Sequence, residues 1–310
     1  MCGIAGILNF RNNNNGDNNT LLKQRLQSMN NALQHRGPDG EGIWVNEEGS
    51  VALGHRRLSI IDLSNAGHQP MHYVSKNESY NHRYTITHNG EIYNYIELRE
   101  ELAKHGYTFQ SQTDTEVIVA AYDYWKDLCV DHFDGMFAFA IWDAKEKELF
   151  AARDRFGEKP FFYYFDENHF LFASEMKALW AAGIDRIPNQ KMLFNFITIG
   201  YTDNPNQPGE TFFENIHKLP TATCLKYSLS KNELTLEKYW DIDPEKQDKH
   251  ISETDALEKF NHLLTTSVKR RLRSDVAIGT SLSGGLDSSS LVAIASSFTN
   301  SPLTAFTASF

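Results

Sequence analysis

Four short apolar runs crowd into residues 135 to 174, and they constrain the fold more than anything else in the chain. GMFAFAIWD (135 to 143), ELFAARD (148 to 154), PFFYYF (160 to 165) and HFLFAS (169 to 174) are short and closely spaced. Only antiparallel strands can be joined by such tight connections, because parallel pairs need long crossovers. Upstream, CGIAGILNF (2 to 10) reads as a short buried strand, with further strands near 42 to 46, 51 to 56 and 83 to 88. Helical spacing marks Leu22, Leu26, Met29 and Leu33. A helix over 95 to 105 is stopped by Gly106. Another opens at TDTE, where Thr113 and Glu116 have capping-box spacing, with Val117, Ala121, Tyr124 and Leu128 as its buried face. EMKALWAAG, after the last strand, is a short helix, and the Asn/Gly run 11 to 19 is a turn or loop. The sum is an α+β domain with two layers of mainly antiparallel sheet between helices.

A second pattern follows. Pro205, Pro208 and Pro220 suggest a connector. SETD (252 to 255) can cap a helix carrying Leu257, Phe260, Leu264, Val268 and Leu272. VAIGTSL (276 to 282), the loop SGGLDSS, the helix SLVAIASSF (290 to 298) and PLTAFTA (302 to 308) form a βαβ unit. That is the start of an α/β parallel-sheet domain, and one such unit cannot cover both faces of its sheet, so this domain reads as truncated. The expected division is 2–220 and 221–310, and 310 residues are enough for two domains.

Bulk properties narrow the function. A net charge of −10 disfavours nucleic acid as a partner, and the aromatic strands lack interleaved basic residues. No apolar run is long enough for a membrane span and no signal peptide is present, so the expected compartment is the cytoplasm. The three cysteines form no CxxC pair. Cys129 and Cys224 read as core residues. The twelve histidines include no HExxH, and no metal site is expected.

Chemistry enters at Cys2. Removal of Met1 exposes a free α-amine, which can act as base for its own thiol, directly or through water. Alone, Cys2 reads as a small buried residue in a strand. HRGPDGEG (35 to 42), GHRRLSIIDL (54 to 63), HNGEIYN (88 to 94) and Thr113-Asp114 change that. Together with Cys2-Gly3-Ile4 this set resembles the class II, N-terminal-nucleophile glutamine amidotransferases. The forms HRGPDG, RLSIID and NGEIYN are similar to the glutamine-hydrolysing asparagine synthetase branch, and the resemblance covers essentially the whole chain.

Residue chemistry suits glutamine. Arg57 can hold the substrate carboxylate in a bidentate pair, with the backbone of Leu58, Ser59, Ile60 and Ile61 lining the pocket. Asp114 can accept from the substrate ammonium, aided by Gly90 and Glu91. The resemblance implies that the Asn89 side chain and the Gly90 amide stabilise the oxyanion. Singly, each has a plainer explanation: Arg57 a surface ion pair, Asn89-Gly90 a hairpin turn, Asp114 a first-turn acid.

SGGLDSS sits between strand and helix, where glycines admit the backbone to phosphate and a helix N-terminus offers N–H groups. It resembles the pyrophosphate loop of ATP pyrophosphatases. Ser283, Gly284, Gly285, Ser288 and Ser289 are then phosphate contacts. Asp287 orients the loop or positions Mg²⁺, and Ser281 and Leu282 contact adenosine. The resemblance implies an Ntn-hydrolase fold and a ligase with glutamine, aspartate and ATP with Mg²⁺ as substrates, no prosthetic group, and a homodimer. Ammonia made at Cys2 would attack aspartyl-adenylate, giving asparagine, AMP and pyrophosphate. The competing readings are an amidotransferase for another carboxylate, or a fragment with glutaminase activity only.

Overall fold

The computed structural model describes residues 1–10, 17–75, 82–248, 250–299 and 302–308. Two compact units are present: residues 1–59 with 64–241, and residues 60–63 with 242–310.

The first unit contains two six-stranded sheets. One is built from β1 (Gly3–Asn9), β2 (Gly40–Val45), β3 (Val51–Arg57), β8 (Phe162–Phe165), β9 (His169–Ala173) and β10 (Ile216–Lys218), in the order β10-β8-β9-β1-β3-β2. The other contains β4 (Met71–Tyr73), β5 (Tyr84–Ile92), β6 (Gly135–Asp143), β7 (Glu148–Arg153), β11 (Thr223–Ser228) and β12 (Glu233–Lys238), in the order β12-β11-β7-β6-β5-β4. Every pairing in both sheets is antiparallel. The strands alternate apolar residues on both faces, so each sheet must be covered twice. Ile4 and Leu8 of β1 meet Ala138, Ala140 and Trp142 of β6 in the core between the sheets. Ala5 and Ile7 point the other way, onto α1 (Asp17–Ala32) and α4 (Met176–Ala181). Phe137, Phe139 and Ile141 face α2 (Tyr95–Lys104) and α3 (Asp114–Trp125). The expected two-layer sheet between helices is the observed architecture.

Several local expectations need correction. Of the run 11–19, residues 11–16 lie outside the described residues, and α1 already begins at Asp17. The strand expected to end near 88 continues to Ile92, because β5 stays in register with β6 as far as Ile92↔Gly135. Helix α3 stops at Trp125, where Lys126 takes a φ of +56°. Tyr124 (42 % exposed) and Leu128 (62 %) are therefore off the buried face, and Cys129 and Val130 fill the core instead. The Pro-containing connector includes β10, which pairs with β8. The boundary near 220 falls inside the sandwich, since β11 pairs with β7 and the unit runs on to residue 241. Helix α5 (Gln190–Ile199) is an addition to the expected elements.

The second unit begins with α6 (Glu253–Arg271), capped as expected by Ser252, whose hydroxyl accepts from the Asp255 amide at 3.1 Å. Then come β13 (Gly279–Ser281), α7 (Leu286–Phe298) and β14 (Thr304–Phe306), with β13 and β14 parallel. This is the expected βαβ unit, with a shorter first strand and a helix that starts four residues earlier, at Leu286 instead of Ser290.

Candidate active site

Cys2 immediately precedes β1, and strand register decides its neighbours. Gly3 pairs with Arg56, so the next position outward sets Cys2 opposite Arg57. The Leu58 amide donates to Cys2 Sγ at 3.3 Å, and Sγ lies 3.5 Å from the Leu58 carbonyl oxygen. Arg36 Nε donates to the Cys2 carbonyl at 2.8 Å. Burial pushes the thiol pKa up; the Leu58 amide, the chain's amino terminus and Arg57 pull against it, while Asp114 adds to it. Arg57 and Asp114 are thus within electrostatic reach of the sulfur.

The turn after β3 is clasped by Asp39. Its amide donates to the Arg57 carbonyl at 3.0 Å, and its carboxylate accepts from the Ser59 amide at 2.9 Å. Arg57 Nη1 donates to the Ser64 carbonyl at 2.8 Å. Ile60 and Ile61 belong to the second unit, where the Asp275 amide donates to the Ile60 carbonyl at 3.0 Å. The stretch Leu58 to Ile61 expected to line one pocket is therefore divided after Ser59.

Asn89 and Gly90 lie within β5, opposite Ala138 and Phe137 of β6, which rules out a hairpin turn. Gly90 has a φ of +150°, and a Cβ there would overlap the Met136 carbonyl and the Phe137 backbone. Only glycine lets the two strands approach so closely. Strand alternation puts Asn89 on the same face as Thr87, whose hydroxyl donates to the Gly54 carbonyl of β3 at 3.1 Å. Asn89 therefore looks into the space between the sheets, toward β3. It is 0 % exposed, and neither Oδ1 nor Nδ2 has a hydrogen-bond partner among the described residues. Such a group costs about 1–3 kcal/mol, so an unpaired buried amide calls for a ligand that completes it.

Behind Asn89 the backbone is fixed by neutral groups. His55 Nε2 donates to the His88 carbonyl at 3.0 Å, and the His88 amide donates to Gln69 Oε1 at 2.6 Å. His88 Nδ1 and Gln69 Nε2 both meet Thr115 Oγ1, at 3.1 and 3.2 Å. Burial drives both histidine pKa values down to about 3, so neither carries charge near neutrality.

Asp114 opens α3, 5 % exposed, and its Oδ2 accepts from the Ile92 amide at 2.8 Å. Burial raises its pKa to about 7, with Glu91 adding and the Ile92 amide opposing. Thr113 caps the helix by accepting from the Glu116 amide at 3.2 Å. The Glu116 carboxylate does not complete a capping box; it accepts from the Gln110 and Ser111 amides, both at 2.8 Å. Glu91 has its carboxyl pKa raised by burial and lowered by Lys159.

In the second unit, Ser281 ends β13 and Leu282 donates its amide to the Phe306 carbonyl of the β14 strand at 2.9 Å. Gly284 is left-handed at φ +82°, and Gly285 is the N-cap of α7. Ser283 and Ser288 join through their hydroxyls at 3.0 Å, and the Ser288 hydroxyl also donates to the Gly285 carbonyl at 3.1 Å. Asp287 lies in the first turn, and the Ser289 amide donates to the Gly285 carbonyl at 3.1 Å. The helix therefore starts directly at the loop, leaving its first amides open to an anion. Among the described residues no group of three His, Cys, Asp or Glu side chains is placed to hold a metal. No described helix is long and apolar enough to cross a membrane. Cys129 and Cys224 are buried, their thiol pKa values raised by burial, Cys224 to about 12.

Residues 1–240 match the family model described as glutamine amidotransferase domain. The chain belongs to the glutamine amidotransferase family. Residues 259–310 match asparagine synthase. Among curated relatives, "Putative asparagine synthetase [glutamine-hydrolyzing] 2" of Methanocaldococcus jannaschii is 38% identical, the match spanning 97% of this chain and 58% of that protein. "Asparagine synthetase [glutamine-hydrolyzing] 3" of Bacillus subtilis is 40% identical over 95% of this chain and 45% of its own. The chain spans about half the length of these relatives. A solved structure of glutamine phosphoribosylpyrophosphate amidotransferase from B. subtilis shares the fold. Its TM-score is 0.56 at 17% identity, over 99% of this chain and 65% of that one.

The amidotransferase unit also holds residues that no sequence motif assigns a task. Sequence reading singles out HRGPDG without assigning Arg36 or Asp39; Arg36 donates to the Cys2 carbonyl and Asp39 holds the Arg57–Ser59 turn. Glu175 stays hidden in the sequence because its partners are distant along the chain. Its carboxylate takes Arg36 Nη1 at 2.9 Å, His35 Nε2 at 2.8 Å and Lys177 Nζ at 2.9 Å. Burial works against its ionisation, but the hydrogen bonds from Arg36, Lys177 and His35 outweigh that and bring its pKa down to about 2.

Proposed function

We propose that the first unit hydrolyses glutamine to glutamate and ammonia, with Cys2 as nucleophile once Met1 is removed. The α-amine of Cys2 takes the thiol proton, directly or through water, and the sulfur attacks the amide carbon. Asn89 Nδ2 and the Gly90 amide donate to the oxyanion, Arg57 pairs with the substrate carboxylate, and Asp114 with Gly90 and Glu91 receives the ammonium. Leu58 and Ser59, which belong to this unit, line the pocket. The carbon–nitrogen bond breaks, ammonia leaves with the proton returned by the amine, and water splits the thioester into glutamate and free thiol. The observation that carries this reading is Asn89, fully buried with both amide atoms unpaired.

For the whole protein the reading extends to asparagine synthesis: aspartate activated by Mg²⁺-bound ATP, then attacked by ammonia. Its support is the match of residues 259–310 and the relatives' names. Ser281, Leu282, Ser283, Gly284, Gly285, Ser288 and Ser289 would receive adenosine and pyrophosphate, and Asp287 would orient the loop or the metal. A cytoplasmic location and a homodimer enter the reading through the resemblance.

Glutamate release by Met1-free chain tests the first step. The parent chain should hydrolyse glutamine, and Cys2→Ala should not. Equal glutamate release by the two would overturn the nucleophile assignment.

A further inference from the structure

Lys159 is 4 % exposed and has no ion-pair partner among the described residues. Its Nζ lies 3.1 Å from Met1 Sδ, the contact it makes with a residue that processing removes. An unpaired ammonium in such a place costs several kcal/mol of solvation, about the penalty expected for a buried ion without its counter-charge.

The backbone around it is built to hold it there. Asp154, 1 % exposed, accepts from the amides of Phe137 (3.2 Å), Phe156 (3.1 Å), Glu158 (2.9 Å) and Lys159 (3.0 Å). Arg153 donates to the carbonyls of Lys159 (2.7 Å), Leu219 (2.6 Å) and Gly157 (2.6 Å). Both the amide and the carbonyl of Lys159 are therefore pinned by buried charged groups. A loop fixed this firmly presents its side chain in one direction.

That direction is the amino terminus. Met1 Sδ is five bonds from the Cys2 nitrogen, a span of at most about 6 Å by standard bond lengths. The Lys159 ammonium is thus within roughly 9 Å of the atom that becomes the α-amine after cleavage. We propose that Lys159 is a positioning residue whose fixed ammonium keeps the α-amine of processed Cys2 in its free-base form, ready to take the thiol proton. This rests on Cys2 being the nucleophile and its amine the base. The proton moves from sulfur to the amine and then to the departing amide nitrogen; Lys159 exchanges none.

The sign follows from charge. A nearby cation disfavours the ammonium form of the amine and favours the free base. The charged groups facing the terminus are Arg36, Lys159 and Asp39, with the Cys2 thiol; those facing Lys159 are Glu91, Asp154, Glu158 and Arg36. For Met1 the amine is already pushed below its usual range, by burial first and by Arg36 and Lys159 next, against the pull of Cys2 and Asp39.

The test measures kcat at saturating glutamine against pH, with loss of Met1 confirmed by mass for the parent, Lys159→Met and Lys159→Arg. Lys159→Met should move the acidic limb up by about one pH unit, an effect of the size one partly screened charge exerts at this range. Its rate should fall about tenfold near neutrality and recover to within about threefold at high pH. Lys159→Arg keeps the charge and should keep the parent limb. Loss of rate at every pH without displacement of the limb, or an unchanged profile, overturns the proposal. NMR titration of the Cys2 α-amine in isotope-labelled parent, Lys159→Arg and Lys159→Met separates the charge from burial, which lowers the midpoint on its own. A midpoint higher in Lys159→Met than in the parent and Lys159→Arg supports the role; equal midpoints in all three, or a parent midpoint at or above the usual ~8, remove it. Failure of Cys2→Ala to abolish glutamate release would instead strike the underlying reading.

Discussion

Arg36 reaches Cys2 through the carbonyl oxygen, not the sulfur: Nε donates to it at 2.8 Å while Nη1 is held by Glu175 at 2.9 Å. Ser174, the residue before Glu175, adds a second hold: its Oγ accepts from the Ile4 amide at 3.0 Å. The start of β1 is therefore held at two successive points by the end of β9 and the charge cluster beside it. Once Met1 is gone, Cys2 has no covalent neighbour upstream. Its placement then depends on these side-chain contacts.

Arg36→Ala should lower kcat for glutamine hydrolysis by about 10²-fold, the cost expected when a reacting group drifts by about an ångström. Glutamate release by mass-verified, Met1-free chain measures this. Arg36→Lys can reach either Cys2 or Glu175 but not present the same planar fork, so it should fall between the two. Parent-like kcat in Arg36→Ala would show that β1 holds Cys2 without it.

Much of this arrangement was legible in the sequence, and the reasons for the rest are physical. Four apolar runs gave antiparallel strands because strand alternation and short connections are local properties. Thr113 was legible because a cap bonds three residues ahead. Lys126 was not, because its positive φ carries no hydrophobic signal, and it displaced Tyr124 and Leu128 from the expected face. Helix α5 stays hidden in the sequence because its apolar residues mark no buried stripe: Met192 is buried, whereas Phe194, Phe196, Ile197 and Ile199 are exposed. Cys2, Arg57, Asn89 and Asp114 could be named from motifs. Their placement depends on the register Gly3↔Arg56 and the continuation of β5 past His88, which pattern alone does not supply.

Asn89→Ala should separate catalysis from stability. Loss of one oxyanion donor is worth about 10²–10³ in kcat. The same change removes two buried polar atoms that have no partner in the free protein, which relieves an unsatisfied amide while leaving a small void. The unfolding midpoint should therefore stay close to the parent value as kcat collapses. A kcat loss under about tenfold would sink the donor role.

Gly90→Ala should do the reverse and act on the fold first. The added methyl meets the Met136 carbonyl and the Phe137 backbone in the adjacent strand, and the φ of +150° is strained for any residue with a Cβ. Strands β5 and β6 must separate, at a cost of about 2–4 kcal/mol. Urea unfolding measures it. A midpoint equal to the parent's would mean that β5 accommodates a side chain at this position.

Asp114 predicts how glutamine binding depends on pH. Burial raises its carboxyl pKa to about 7 in the free protein, with the Ile92 amide opposing. A substrate ammonium interacts favourably only with the ionised form. Binding therefore proceeds freely above that pKa and requires loss of a proton below it. The KM for glutamine should be flat above about pH 7 and rise about tenfold per unit as pH falls below it. The glutamine ammonium itself stays protonated throughout that range. Asp114→Asn should raise KM above about pH 7 and abolish the slope, because the titrating group is gone. Glu91 is the other carboxyl nearby, its pKa raised by burial and lowered by Lys159. Glu91→Gln removes that second charge and should preserve the slope. If the slope survives in Asp114→Asn but vanishes in Glu91→Gln, the ammonium is read by Glu91 and the assignment of Asp114 fails.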